Sequence, residues 1–202
     1  MKKFLIFSLF ALLIQSCITS RINSHKLVDQ AERYNKLLLL ITDSEQDFYE
    51  WNQENFDYVI YSRFNHLDTD YERKVIGNAL QRNIRPTIIV PADKAFTIHS
   101  EVSYADFMNT LNYLEYDAVL LVQIKGLWKE QRIREGDSYF VPRSEFHVFL
   151  IDKQRFKNQY LAKINVDGGS GWNNFEEIFS RFSRELAKDL SDKGFILRPA
   201  VL

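Results

Sequence analysis

The segments KLLLLIT (residues 36–42) and YDAVLLV (116–122) carry almost no polar side chain once they begin. A short apolar run that neither alternates nor follows a helical period is a strand buried on both faces, because an element with one wet face must show polar residues at its own period. After residue 122 the second run turns to alternation, QIKGLW (123–128), as a central strand does when it continues out of a sheet into solvent. Two such strands need a sheet with helices packed on it.

The rest of the chain supplies the other elements. A helical pattern at Leu27, Val28, Ala31 and Tyr34 precedes the first apolar run, and Phe48, Trp51 and Asn55 or Phe56 line one helix face after it. DYVIYSRF (57–64) reads as a strand. Thr69 with Glu72 has capping-box spacing and opens a helix to Arg82. RPTIIVP (85–91), bracketed by prolines, reads as a strand at or near a sheet edge. Ser103 with Asp106 caps a helix whose stripe is Tyr104, Phe107, Met108, Leu111 and Leu114. SEFHVFLID (144–152) and QYLAKINVD (159–167), joined by KQRFKN, predict an antiparallel hairpin. Asn174 and Glu177 then cap the best helix, with Phe175, Ile178, Phe179, Phe182, Leu186 and Leu190 on its buried face and Gly194 after it. FILRP (195–199) reads as a last short strand. The expected fold class is α/β (α+β mixed), a single mixed sheet with packed helices, in one domain over 27–202.

Lys and Arg number 26 and Asp and Glu 27, and removing residues 1–16 takes away Lys2 and Lys3 to leave 24 against 27. This balance gives no field suited to nucleic acid. One cysteine excludes an internal disulfide, so its position has to carry the meaning. Lys2 and Lys3 precede an apolar run of eleven residues, FLIFSLFALLI (4–14), the size of a signal-peptide core and short of the roughly 20 that a membrane span needs. Gln15, Ser16 and Cys17 follow it.

This start resembles the lipobox of bacterial lipoproteins, in which a small residue precedes the cysteine that is lipidated and becomes the first residue of the mature chain. Ile14 and Gln15 depart from its commonest residues. The resemblance implies a signal peptide over 1–16, acyl chains including palmitate on Cys17, and a membrane anchor that is hard to reverse at about 0.8 kcal/mol per buried CH₂. It also implies the outer membrane over the inner, since no aspartate follows Cys17. Residues 18–26, ITSRINSHK, are polar and suit a short tether. In the carboxy-terminal half, YDAVLLVQIKG, FHVFLIDKQ, YLAKINVD and SRELAKDLSDKGF resemble the α/β domain shared by small envelope lipoproteins. Among these are the outer-membrane activator of penicillin-binding proteins, the curli secretion lipoprotein and the amino-terminal domain of TolB. That likeness implies binding and assembly in the periplasm or at the cell surface.

Local motifs are weaker. DGGSGWNN (167–174) runs from a strand into a helix start, where Gly169, Ser170 and Gly171 could hold an anion. It lacks the third glycine of a dinucleotide loop and the lysine of a phosphate loop, so its ordinary role is a turn. His25, His66, His99 and His147 form no metal-binding spacing, no serine elbow is present, and neither a metal nor a cofactor is expected. The charged segment KEQRIREGDSYFVPR (129–143) reads as a projecting hairpin loop. Trp128, Arg132, Arg134 and Arg143 are its candidate partner-binding residues. The expected function is a non-catalytic, membrane-tethered envelope lipoprotein that binds or helps assemble another envelope protein. An envelope hydrolase or small-ligand-binding enzyme with a dispersed site is the alternative from a different class, and a self-assembling homo-oligomer is the third.

Overall fold

The computed structural model describes residues 18–43, 60–61, 70–96, 102–169 and 174–199. Its strands are β1 (Thr19–Lys26), β2 (Lys36–Asp43), β3 (Ile88–Pro91), β4 (Ala118–Arg134), β5 (Asp137–Asp152) and β6 (Asn158–Asp167). Its helices are α1 (Asp70–Asn83), α2 (Tyr104–Tyr113) and α3 (Phe175–Asp192). The six strands form one sheet in the order β1-β6-β5-β4-β2-β3. β2 pairs in parallel with both β3 and β4, and the pairs along β4-β5-β6-β1 are antiparallel. The mixed α/β sheet inferred from the sequence is the observed one.

The two apolar runs lie side by side as β2 and β4, with Leu37 opposite Ala118 and Ile41 opposite Val122. Their side chains feed two cores. On the first face Leu37, Leu39, Ile41, Ala118, Leu120 and Val122 pack with Ile76 and Leu80 of α1 and with Ile178, Phe179, Phe182, Leu186 and Leu190 of α3. On the second, Leu38, Leu40, Val119 and Leu121 pack with Phe107 and Leu111 of α2 and with Ile60, Ala92 and Phe96. A strand without polar positions is stable only between two such layers.

The helix ends follow local chemistry. The Ser103 hydroxyl accepts the Asp106 N–H at 3.1 Å and donates to the Asp106 carboxylate at 2.6 Å. Asn174 Oδ1 accepts the Glu177 N–H at 3.0 Å, and Gly194 takes φ 86° just past the end of α3. The first-face stripe of α3 is fully buried, and Phe146 sits 4.1 Å from Phe182 between ring centroids.

Four local expectations come out differently. Residues 19–26, read as a tether, form β1, the edge strand, paired along its whole length with β6. Only Ile22 is apolar there, so backbone pairing and not hydrophobic alternation holds it; the Ser20 hydroxyl accepts Arg181 Nε of α3 at 3.1 Å. Residues 27–34 form no helix, because Tyr34 is pinned into the core and its N–H donates to Phe195 O at 2.8 Å. Ile60 and Tyr61, inside the strand expected over 57–64, are helical, with Ile60 buried in the second core. Phe195 and Ile196 are buried without joining the sheet. The helix face of Phe48, Trp51 and Phe56 and the Thr69 cap lie outside the described residues.

Truncating the α3 stripe at its centre tests this layering. Phe182→Ala is expected to cost about 3–5 kcal/mol, read from the urea midpoint at constant slope. A loss below about 1 kcal/mol contradicts the packing.

Candidate functional site

The segment read as a charged loop is an ordered two-stranded ribbon. β6 ends at Asp167, opposite Arg143, and β2 ends at Asp43, opposite Ile124, while β4 and β5 continue together for six more pairs from Lys129↔Pro142 to Arg134↔Asp137. Glu135 and Gly136 turn the chain with φ of 54° and 93°. Two successive positive φ values match the right-handed twist of the flanking strands, and glycine takes the second without strain.

A β-bulge at Lys125 sets which side chains meet at the ribbon's base. Up to Ile124 the paired positions run Gln123↔His147 and Ile124↔Phe146; after it they run Gly126↔Glu145 and Trp128↔Arg143. The extra residue reverses the parity of β4, so Trp128 and Glu130 come to the face that carries Arg143. The Trp128 ring lies over Gly126, where an added Cβ would stand 3.2 Å from the indole Cζ3.

Arg143 is enclosed by carboxylates. Its Nε donates to Glu130 Oε2 at 2.7 Å and its Nη1 to Asp167 Oδ1 at 2.6 Å, tying β4, β5 and β6 together. Burial works against the guanidinium charge, and the bonds to Asp167 and Glu130 outweigh it, so the Arg143 pKa is raised. Glu130 is held below the usual carboxylate range by Arg143 first and then by Arg132, whose Nε lies 3.3 Å from Oε1. Arg143 is therefore engaged within the fold, whereas Arg132 and Trp128 are about half exposed. Arg134 stands at the last ribbon pair, opposite Asp137.

A second ionic row lies two residues along β5. Glu145 Oε1 is 2.8 Å from Lys163 Nζ and 3.1 Å from His147 Nε2. Burial opposes the Glu145 charge, and Lys163 and then His147 overcome it, so its pKa is lowered. His147 and its cross-strand neighbour Gln123 are both buried. Away from this inner end, the same face is open on the two outer strands, where Arg21, Asn23 and His25 of β1 are exposed and Lys163, Asn165 and Asp167 of β6 are half-buried.

Of the anion-loop residues, Gly169 is described, and Ser170 and Gly171 are not. Gly168 donates its N–H to Pro142 O at 2.8 Å and has no room for a side chain, since a Cβ would meet Pro142 Cγ at 2.7 Å. The start of α3 is served by its own Asn174 cap and carries Glu176 and Glu177, so the local charge disfavours an anion. Among the described residues no three metal-ligating side chains cluster. Cys17, His66 and His99 lie outside them. A groove of about 530 Å³ that sequence reasoning missed opens beside edge strand β3, lined by Gln81, Arg85, Thr87, Ile88 and Arg198 among others. Its lining comes from chain segments more than a hundred residues apart, which no local pattern reveals.

No protein-family model matches the chain, and no curated protein sequence matches it. Similar solved structures exist. PelC from Paraburkholderia phytofirmans, described as a dodecamer, is 10% identical and superposes with a TM-score of 0.51 over 88% of this chain and 99% of its own. Lipoprotein GNA1162 from Neisseria meningitidis is 13% identical with a TM-score of 0.43, covering 78% and 98%. A minor lipoprotein from Acinetobacter baumannii is 9% identical with a TM-score of 0.34, covering 79% and 94%. The likeness to PelC is one of fold.

The pH dependence of stability reports on the inner ionic row. Burial draws His147 below its ordinary 6.5, Lys163 and Lys125 add to that, and Glu145 opposes it. The unfolded chain therefore takes up this proton first, so stability present above 6.5 is lost as the pH falls through the lowered folded value. Glu130 and Glu145, held below 4.5, add a second loss only below 4.5. His147→Gln is expected to flatten the denaturation midpoint between 6.5 and 4.5 and leave the steeper acid limb; an unchanged slope in the upper range excludes His147 as its source.

Proposed function

We propose that the chain is a lipoprotein of the cell envelope, lipidated at Cys17 after removal of residues 1–16, and that its α/β domain works by binding a second envelope component, not by catalysis. The observation that carries the reading is the join between anchor and fold. β1 begins at Thr19, two residues after the only cysteine, and is bonded along its length to β6. An acyl group on Cys17 would keep the edge of a rigid sheet close to the bilayer, since only Ile18 separates the cysteine from the first residue of β1. Ile18 and Thr19 in place of an acidic residue favour the outer membrane.

A domain held in this way presents the open polar face of β1 and β6 to its surroundings. Arg21, Asn23 and Lys163 there offer donors and charge on a backbone that does not have to be ordered on binding, which favours specific recognition. The outer edge of β1 has no strand beside it among the described residues, and an open edge suits pairing with a copy of the same chain. The description of PelC, similar in fold, as a dodecamer supports this reading.

Cys17→Ala is expected to abolish metabolic labelling with palmitate and to move the protein out of the membrane fraction or leave its precursor uncleaved. A variant that keeps both label and location overturns the anchor. In the same cells, a photo-crosslinker at Asn23 is expected to capture one defined species, either another envelope protein or a second copy of the chain. Absence of any defined adduct there, with the protein correctly lipidated, counts against this face as the binding surface.

A further inference from the structure

Strand direction places two features at one end of the sheet. The register aligns Thr19 of β1 with Asp167 of β6, Asp167 with Arg143 of β5, and Arg143 with Trp128 of β4. Thr19 opens β1 at this end of the sheet, and in sequence Ile18, Cys17 and the apolar run 4–14 precede it. β4 leaves the sheet at the same end, where the ribbon continues for six pairs to its turn at Glu135 and Gly136. The alternation of antiparallel directions requires this coincidence. Six residues at about 3.3 Å each carry the turn about 20 Å past the row. Two residues carry the chain to Cys17 by at most about 7 Å. A bilayer that holds the amino terminus is therefore within reach of the ribbon, whether acyl chains on Cys17 or the apolar run itself does the holding.

The ribbon's surface suits that neighbour. Ile133 is 76% exposed and Phe140 56%, and both lie on one face, since Gln131 is opposite Phe140 and Ile133 is two residues further on. Trp128, 47% exposed, stands at the base on the other face. The amphipathic indole of Trp128 favours the headgroup level of a membrane, the apolar Ile133 and Phe140 side chains suit the boundary between headgroups and acyl chains, and Lys129 and Arg132 can lay their stems along it with their charges in water. Glu135 and Asp137 at the turn oppose deeper entry, and six paired residues fall short of the roughly 9–11 that a spanning strand requires. The geometry thus suits a ribbon lying in the interface and not one crossing it.

We propose that residues 128–142 form a membrane-contacting ribbon that rests in the headgroup layer of the leaflet holding the amino terminus, giving the domain a second point of attachment. This rests on the anchoring proposed above. One anchor leaves a domain free to swivel; two fix which way the open face of β1 and β6 looks. The ribbon would then orient the binding surface and not itself be that surface.

The test uses the full chain, prepared from bacterial membranes and reconstituted into phosphatidylethanolamine–phosphatidylglycerol vesicles, with nitroxide labels on Ile133→Cys, Phe140→Cys and, at the far end of β1, His25→Cys. Collision with oxygen and with a water-soluble nickel chelate is measured, and lipidation and vesicle flotation are checked in the same sample. Labels at 133 and 140 are expected to show several-fold less nickel and more oxygen collision than the label at 25. If the chain is lipidated and floats while all three labels are equally open to nickel, the ribbon proposal falls and the anchor stands. Low collision with both reagents at 133 and 140 means cover by protein and also overturns it. A chain that neither floats nor carries lipid removes the anchor and the ribbon's role together.

Discussion

Hydrogen-bonded antiparallel strands must alternate in direction, and the ladder β4-β5-β6-β1 turns that requirement into the layout of the molecule. With β4 fixed in the middle by its parallel pairing to β2, each further strand has its direction set by its neighbour. The start of β1, the end of β6 and the emergence of the ribbon then fall on one row. Nothing in the ribbon's own sequence puts it at the end of the sheet where β1 begins. Backbone pairing does, and Arg143 adds to it, its side-chain bonds to Glu130 and Asp167 clamping three strands at that row.

The clamp shows how burial and pairing compete. Arg143 is largely shielded from water, which by itself disfavours its charge, and two carboxylates at hydrogen-bonding distance more than restore it. The carboxylate beside His147, that of Glu145, is shared with Lys163, and there burial wins and the neutral ring is favoured. Two neighbouring rows on one face thus hold one permanent cation and one group that gives up stability in mild acid.

What the sequence made legible follows the strength of each local signal. KLLLLIT and AVLLV stand out because no wet face interrupts them, and the caps at Ser103 and Asn174 because a side-chain acceptor three residues before a free N–H is a local bond. β1 was hidden because TSRINSHK is mostly polar on both faces, its inward positions being Ser20, Ile22 and Ser24, so only its partner reveals it. The ionic base was half visible. Arg143 was picked out as a charged candidate, but a bulge at Lys125 decides that Glu130 shares its face, and no alternation pattern reports a one-residue insertion. The groove by β3 needs Arg85 and Arg198 to meet across the fold.

In the arrangement proposed above, the end of the sheet where β1 begins, with its ribbon, is the end that meets the membrane. Hydrogen exchange on the vesicle-bound chain, compared with the same chain in solution as Cys17→Ala, tests it most directly, because the turn at 153–157 lies at the opposite end of β5 and serves as an internal reference. Slower exchange on the membrane is expected at amides of 131–141, with no change at 153–157. Protection at 153–157 with none in the ribbon would show the domain mounted the other way up and contradict it.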